Sequence, residues 1–126
     1  MQKAFNPEDI ADLFVAYVNT QRLDGLLSLY DEQAVLITDP ATGQTAHGLP
    51  AIERFYKALL ETRPRFERGT QQLTLVNGDI ALTSSRLING AVTAEVARKQ
   101  SDGSWLWIID QPVIATEVVS PLIPAL

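Results

Sequence analysis

The sequence predicts an α+β fold: three N-terminal helices packed on one face of an antiparallel sheet. Three features lead there. The first half carries apolar residues at helical spacing. The second half carries short alternating, β-branched runs. Those runs are separated by Asn77-Gly78, Asn89-Gly90 and Ser101-Asp102-Gly103, each a hairpin signal. Helices followed by a meander place the helices together on one face of the sheet. With 126 residues, 46% of them apolar, there is material for one hydrophobic core and not for two. A single domain over 1–126 is expected, with its core over about 8–118 and an apolar tail over 119–126.

The first helix opens at Asn6-Pro7-Glu8-Asp9, which supplies a capping side chain, a proline for the first turn and acids at the positive end of the helix dipole. Ile10, Leu13, Phe14, Tyr17 and Val18 form its apolar stripe, ending near Thr20. A second helix begins at Asp24, with Leu23, Leu26, Leu27 and Tyr30 on its stripe. A third runs from about Pro50 to Glu61, with Ile52, Phe55, Tyr56, Leu59 and Leu60 facing inward. Between them Ala34 to Thr38 reads as a strand stopped by Asp39-Pro40, and the next segment, with Gly43, His47 and Gly48, reads as a loop. Strands are expected over 66–76, 79–89, 91–100, 104–111 and 112–118. The tail after Val118 is broken by Pro121 and Pro124, so it cannot form a helix, and is expected to lie along its own domain or a neighbour.

Composition removes several function classes. The net charge is −5 and the basic residues are scattered, which argues against a nucleic-acid partner or an acidic membrane surface. No apolar run approaches the roughly 20 residues a membrane helix needs, and the N-terminus has no secretory core, so a cytoplasmic protein is expected. There is no cysteine, and His47 is the one histidine. Thiolate chemistry is thereby excluded and no cofactor or metal is expected. Acid/base work falls mainly on carboxylates, tyrosines or lysines.

Two stretches carry a family pattern. Tyr30-Asp31-Glu32-Gln33-Ala34-Val35-Leu36-Ile37-Thr38-Asp39-Pro40 is an acidic turn, a strand and Asp-Pro. Nine residues beyond Asp39 follows Gly48-Leu49-Pro50-Ala51-Ile52-Glu53-Arg54-Phe55-Tyr56. Together they resemble the ketosteroid isomerase-like, SnoaL-like branch of the nuclear transport factor 2-like superfamily. Asn19, Leu23-Asp24-Gly25 and Asp102-Gly103-Ser104-Trp105 extend the resemblance over about 8–112. It implies a cystatin-like cone, with the three N-terminal helices packed on a strongly curved antiparallel sheet that encloses a pocket. That scaffold hosts isomerases, hydrolases, cyclases and non-catalytic binders alike, so the resemblance speaks to fold more than to reaction.

Carried over residue by residue, the resemblance puts Asp39 where the isomerases keep their general base. It puts Glu95 where they hold a neutral carboxylic acid that donates to the developing oxyanion. Their tyrosine donor falls on Phe14, so that donor is absent here. The sequence also carries one extra residue between Ala34 and Asp39, and in a strand one residue reverses which way side chains point unless a bulge absorbs it.

The residues themselves allow plainer readings. Asp39 before Pro40 is an ordinary strand end. Glu95 sits with Thr93 and Ala97 on one face of a strand whose other face is Val92, Ala94 and Val96, and solvent is its simplest environment. Asp110 is expected on the face of Leu106 and Ile108, partly buried, with a raised pKa if unpaired. Arg86 alternates with Ile80, Leu82, Ser84 and Ile88, and either pairs with Glu95 or Asp110 or faces solvent. Phe14, Tyr17, Tyr30, Phe55, Tyr56, Leu59 and Arg86 are the candidate pocket residues; the tyrosines serve equally as core aromatics. His47 is read as an exposed loop residue, and Trp105 and Trp107, two apart, as packing or a dimer surface.

Two functions remain open. One is a cofactor-free enzyme of small, mostly apolar metabolites, with Asp39 as base and Glu95 or Asp110 as acid. The other is a non-catalytic domain that binds a ligand or associates through the outer face of its sheet. A homodimer through that face is expected, since helices can cover only one side.

Overall fold

The computed structural model describes residues 2–115 of the chain. The helices are α1 (Asp9–Asn19), α2 (Leu23–Leu27) and α3 (Leu49–Glu61). The strands are β1 (Tyr30–Asp39), β2 (Gln44–His47), β3 (Thr70–Gln71), β4 (Leu75–Asn77), β5 (Ile80–Thr83), β6 (Ser85–Arg86), β7 (Val92–Lys99) and β8 (Trp105–Ala115). The end of the last expected strand and the apolar tail over 119–126 lie outside the described residues. Among the described residues no helix is long and apolar enough to cross a membrane.

One sheet holds all the strands, in the order β2-β1-β8-β7-β5-β4, with β6 between β7 and β3. It is mixed where an antiparallel sheet was expected, because β1 runs parallel to β8. Only α3 lies between β1 and β8 in the chain, and all three helices pack on the inner face. Ile10 and Val18 of α1, Leu26 of α2 and Ile52, Tyr56 and Leu60 of α3 are buried against Leu36, Ala46, Ala81, Ala97, Trp105 and Trp107. Gly25 lets α1 and α2 touch: a Cβ there would stand 2.5 Å from the Tyr17 ring.

β2 was expected to be loop. Its sequence, Gln-Thr-Ala-His, has no apolar alternation because it is an edge strand with only Ala46 buried. His47 lies on its exposed side, paired with Val35. Gly48 then turns the chain into α3 at φ 86°, a left-handed conformation that other residues avoid, while its N–H donates to the Ala34 carbonyl (2.8 Å). The expected strand over 79–89 appears as β5 and β6, broken at Ser84. There Thr93 stands in for the ladder, its hydroxyl accepting the Ser85 N–H (2.9 Å) while its carbonyl accepts from the Ser84 hydroxyl.

Irregularities in β1 and β8 decide which side chains face inward. In β8, Ala97 pairs with Trp107 and Val96 with Ile109, so Ile108 is extra. That bulge reverses the alternation. Trp105 and Trp107 turn inward before it and Asp110 turns inward after it, while Ile109 is left outside. One expectation is corrected and one choice is settled by this residue. Asp110 shares a face with the tryptophans and not with Leu106 and Ile108, and of the two readings of the tryptophans, packing holds and the dimer surface does not, since both lie in the core.

Candidate functional site

The inner face of the sheet changes character along its length. One end is paved by Trp105, Trp107, Ala97 and Ala81; the other is polar, with Thr83, Ser85, Thr93, Glu95 and Asp110, all buried. Glu95 and Asp110 are directly opposed on antiparallel β7 and β8 and are 5% and 6% exposed. Side chains opposed in this way have Cβ atoms roughly 5 Å apart. Two carboxyl groups this close, away from water, cannot both ionise without mutual cost.

Their surroundings differ. Glu95 Oε1 accepts from the Thr83 hydroxyl (2.8 Å) on β5. Burial raises its pKa, opposed by hydrogen bonds from Thr93 and Thr83 and by the charge of Arg68. Arg68 is held nearby through Ser85 Oγ (3.0 Å) and Gln71 Oε1, and pairs with Asp12 of α1 (2.6 Å). Asp110 has fewer partners. Its Oδ2 accepts from the Tyr30 hydroxyl (2.5 Å), and the Tyr30 oxygen in turn lies 2.5 Å from the Tyr56 hydroxyl. Burial pushes Asp110 up to about 7, with the Tyr30 hydrogen bond lowering it and Glu95 raising it further. Burial, then the charge on Asp110, holds Tyr30 and Tyr56 well above the ordinary phenol range, so both stay protonated.

The proton count along this chain matters. Tyr56, Tyr30 and Asp110 are joined by two hydrogen bonds. With Asp110 ionised, the two phenolic protons fill both; with Asp110 protonated, one proton is left over to donate elsewhere. Glu95, with more stabilising partners, gives up its proton first. The pair can therefore hold one base and one donor at neutral pH.

An aromatic wall closes the cluster. Phe14 meets Tyr56 edge-on (6.1 Å between centroids), stacks on Phe66 (5.8 Å) and leans on Trp107 (5.7 Å). Phe66 is fixed by Asn19, whose amide donates to the Phe66 carbonyl (2.9 Å) and accepts the Phe66 N–H (2.8 Å). Phe55 stands edge-on to Tyr56 at 5.2 Å. Phe14, Phe55, Leu59 and Phe66 are half-buried and pack against the core, marking where the cluster meets solvent.

The expected residues thus separate. Glu95, Asp110, Tyr30, Tyr56 and Phe14 come together, with Phe55 and Leu59 at the edge. Tyr17 faces away, its ring against Gly25 of α2. Asp39 lies three residues beyond Leu36, the strand partner of Asp110, and its carboxylate accepts the Ala41 N–H (2.9 Å), the turn role. The extra residue before it is absorbed as a bulge between Ile37 and Asp39. Of the two readings of Arg86 the solvent-facing one holds and its place among the pocket residues is corrected: it is exposed, because Ala81, Thr83 and Ser85 are the inward residues of β5 and β6 and its own alternation set faces out. Arg68 occupies the cationic role instead. Lying in Arg65-Phe66-Glu67-Arg68, without alternation around it, Arg68 gave no signal in the sequence.

Two surface cavities, of about 370 and 460 Å³, lie elsewhere, near Lys3 and Asp102 and near Phe5 and Leu13. Neither is lined by Glu95, Asp110, Tyr30 or Tyr56. The acid cluster is the candidate site, because burying ionisable groups costs stability and requires a reason, whereas a groove bordered by exposed lysine and serine does not. Among the described residues no three His, Asp or Glu side chains converge as a metal site requires.

The family model "SnoaL-like domain" matches residues 11–110. No curated protein matches the sequence. Among solved structures, one from Thiobacillus denitrificans, assigned as a calcium/calmodulin-dependent protein kinase type II association domain, superposes with a TM-score of 0.73 at 16% identity, covering 88% of this chain and 96% of that one. A ketosteroid isomerase-like protein from Erwinia carotovora atroseptica gives 0.62 at 19% identity, over 82% and 89%. A Nostoc punctiforme protein of unknown function with a cystatin-like fold gives 0.63 at 21%, over 94% and 92%. At these identities the likeness is one of fold.

Proposed function

The chain belongs to the SnoaL-like domain family, and from its buried acid pair we propose that it binds and converts a small, mostly apolar carbonyl compound by cofactor-free acid/base chemistry. The opposition of Glu95 and Asp110 in unlike environments carries this reading. Glu95 acts as base on a carbon next to the carbonyl. Protonated Asp110, with Tyr30 and Tyr56 behind it, donates toward the developing oxyanion. Phe14, Phe55, Leu59 and Phe66 hold the apolar body.

Exchange of the α-methyl protons of 2-acetonaphthone in D₂O tests this without the natural substrate, since exchange reports proton abstraction beside a carbonyl. The protein is expected to accelerate it, and Glu95→Gln to abolish the acceleration while the ketone still binds. Binding with no exchange by the unsubstituted protein would leave a ligand carrier and remove the enzyme.

A second reading concerns assembly. On the outer face Leu75, Leu82, Val96, Ile109 and Val35 are successive strand partners, forming one apolar row across five strands. Leu75, Leu82 and Ile109 are 59%, 45% and 49% exposed. A contiguous apolar band of this kind marks an interaction surface, and a second copy presenting the same row is the self-complementary partner we propose for it.

A further inference from the structure

Among the described residues, the buried side-chain polar atom left without a hydrogen-bond partner is the indole N–H of Trp107. Trp107 is 4% exposed and stands inside the candidate site. Its ring centroid is 5.4 Å from that of Tyr30, the donor to Asp110, and 5.7 Å from that of Phe14. Buried indole N–H groups ordinarily find an acceptor. The nearest neighbours cannot supply one. Phe14 has no polar atom, and the Tyr30 oxygen is already engaged by Tyr56 and Asp110. The site thus contains a fixed donor with nothing among the described residues to accept from it, flanked by aromatic rings.

We propose that Trp107 is the hydrogen-bond donor that recognises the ligand's carbonyl oxygen, and that it makes the site selective for compounds with one such acceptor in an otherwise apolar body. The inference rests on the proposed function for the location of the ligand, and adds the group that reads it. The selectivity follows from asymmetry: a ligand that reaches the indole without an acceptor leaves the donor buried and unpaired, whereas a carbonyl satisfies it. Trp107 is well suited to the role. Its backbone N–H is tied to the Leu29 carbonyl (2.9 Å), so the ring is mounted on a strand anchored to the turn between α2 and β1.

The test uses two probes of the same shape, 2-acetonaphthone and 2-isopropenylnaphthalene, which differ by a carbonyl oxygen against a methylene. The full chain is labelled with ¹⁵N-tryptophan, and the Trp107 indole signal is assigned by its loss in Trp107→Phe. The ketone is expected to move the Trp107 indole proton downfield and to bind roughly tenfold more tightly than the alkene, the ratio one hydrogen bond commonly supplies. Trp107→Phe, which keeps an aromatic ring and loses the donor, should weaken ketone binding alone and erase the preference. Equal affinity for the two probes with an unmoved indole proton, while α-proton exchange continues, would overturn the role of Trp107 and leave the proposed function standing. Failure of both probes to bind at millimolar concentration would overturn both. Should Trp107→Phe not fold, the two indole signals are told apart by the loss of the other one in Trp105→Phe, and the indole shift and the affinity ratio in the unsubstituted protein decide the question.

Discussion

Glu95 and Asp110 face each other across β7 and β8, both buried, each with its own set of hydrogen-bond donors, and the charge of Arg68 acts on Glu95. Such a pair costs the folded state something, and the cost has a sign. Both carboxyl groups have folded-state pKa values above their ordinary ones, so below the ordinary carboxylate range neither costs anything through ionisation. As pH rises from about 4 to about 7 the unfolded chain has released these protons while the fold retains them, and stability falls; above that it levels off. For Asp110 alone, a shift from 3.8 to about 7 corresponds to about 4 kcal/mol at most.

Asp110→Asn is therefore expected to be more stable than the unsubstituted protein at pH 8 by up to a few kcal/mol, and to flatten the fall between pH 4 and 7. The asparagine oxygen still accepts from Tyr30, and its amide can donate to Glu95. Denaturant midpoints measured across that pH range check this. A substitution that destabilises equally at every pH would mean that Asp110 contributes packing rather than a titrating charge.

Glu95→Gln separates the two causes of the Asp110 shift. The charge on Glu95 raises Asp110, but burial is the larger cause. Removing that charge should lower the Asp110 pKa while leaving it above the ordinary carboxylate range. Side-chain ¹³C titration of labelled aspartate reads this directly. A return to the ordinary value would assign the shift to the pair and not to burial.

Helix stripes and hairpin signals made the layer architecture legible, because both follow from local periodicity. Glu95 was legible in its facing: the alternation Thr93, Glu95, Ala97 was read correctly, although the face turned out to be buried. What alternation cannot supply is the residue at which it breaks. Ile108 has the character of its neighbours in Trp-Leu-Trp-Ile-Ile, and nothing local marks it as the bulge that sends Asp110 inward. The pocket placement of Arg86 failed for a related reason. Its outward set, Ile80, Leu82 and Ile88, is more apolar than the inward set, Ala81, Thr83 and Ser85, so hydrophobicity pointed to the wrong face at the end of the sheet whose inner side is polar. Arg68 reaches Glu95 only through tertiary placement, which no spacing encodes.

Asn19 is predicted to act on the site from a distance. Asn19→Ala leaves both the N–H and the carbonyl of Phe66 without their partner in a half-buried setting, at a cost of about 1–3 kcal/mol. Phe66 would also lose its fixed position on Phe14. Thermal unfolding should show the loss, and 2-acetonaphthone should bind more weakly to the folded variant. Asn19→Asp keeps the acceptor for the Phe66 N–H and should recover part of the stability. Full stability in Asn19→Ala would mean that the clamp is dispensable.

The outer row makes the last prediction. Leu82 sits near its centre, between Leu75 and Val96, and is 45% exposed with its side chain away from the helices. If two copies meet through this row, Leu82→Glu buries a charge at the interface of each copy, close to its symmetry mate, and unpaired buried charge is among the costlier changes a contact can suffer. In the isolated domain the same glutamate points into water, so folding should change by no more than about 0.5 kcal/mol. The expected result is a dimer that becomes a folded monomer, read by light scattering at micromolar concentration alongside thermal unfolding. The tryptophans provide the contrast: both are buried within the domain, so Trp105→Phe should leave the association state unchanged. A monomeric unsubstituted protein, or a Leu82→Glu variant that stays dimeric, would remove this face as the contact between copies.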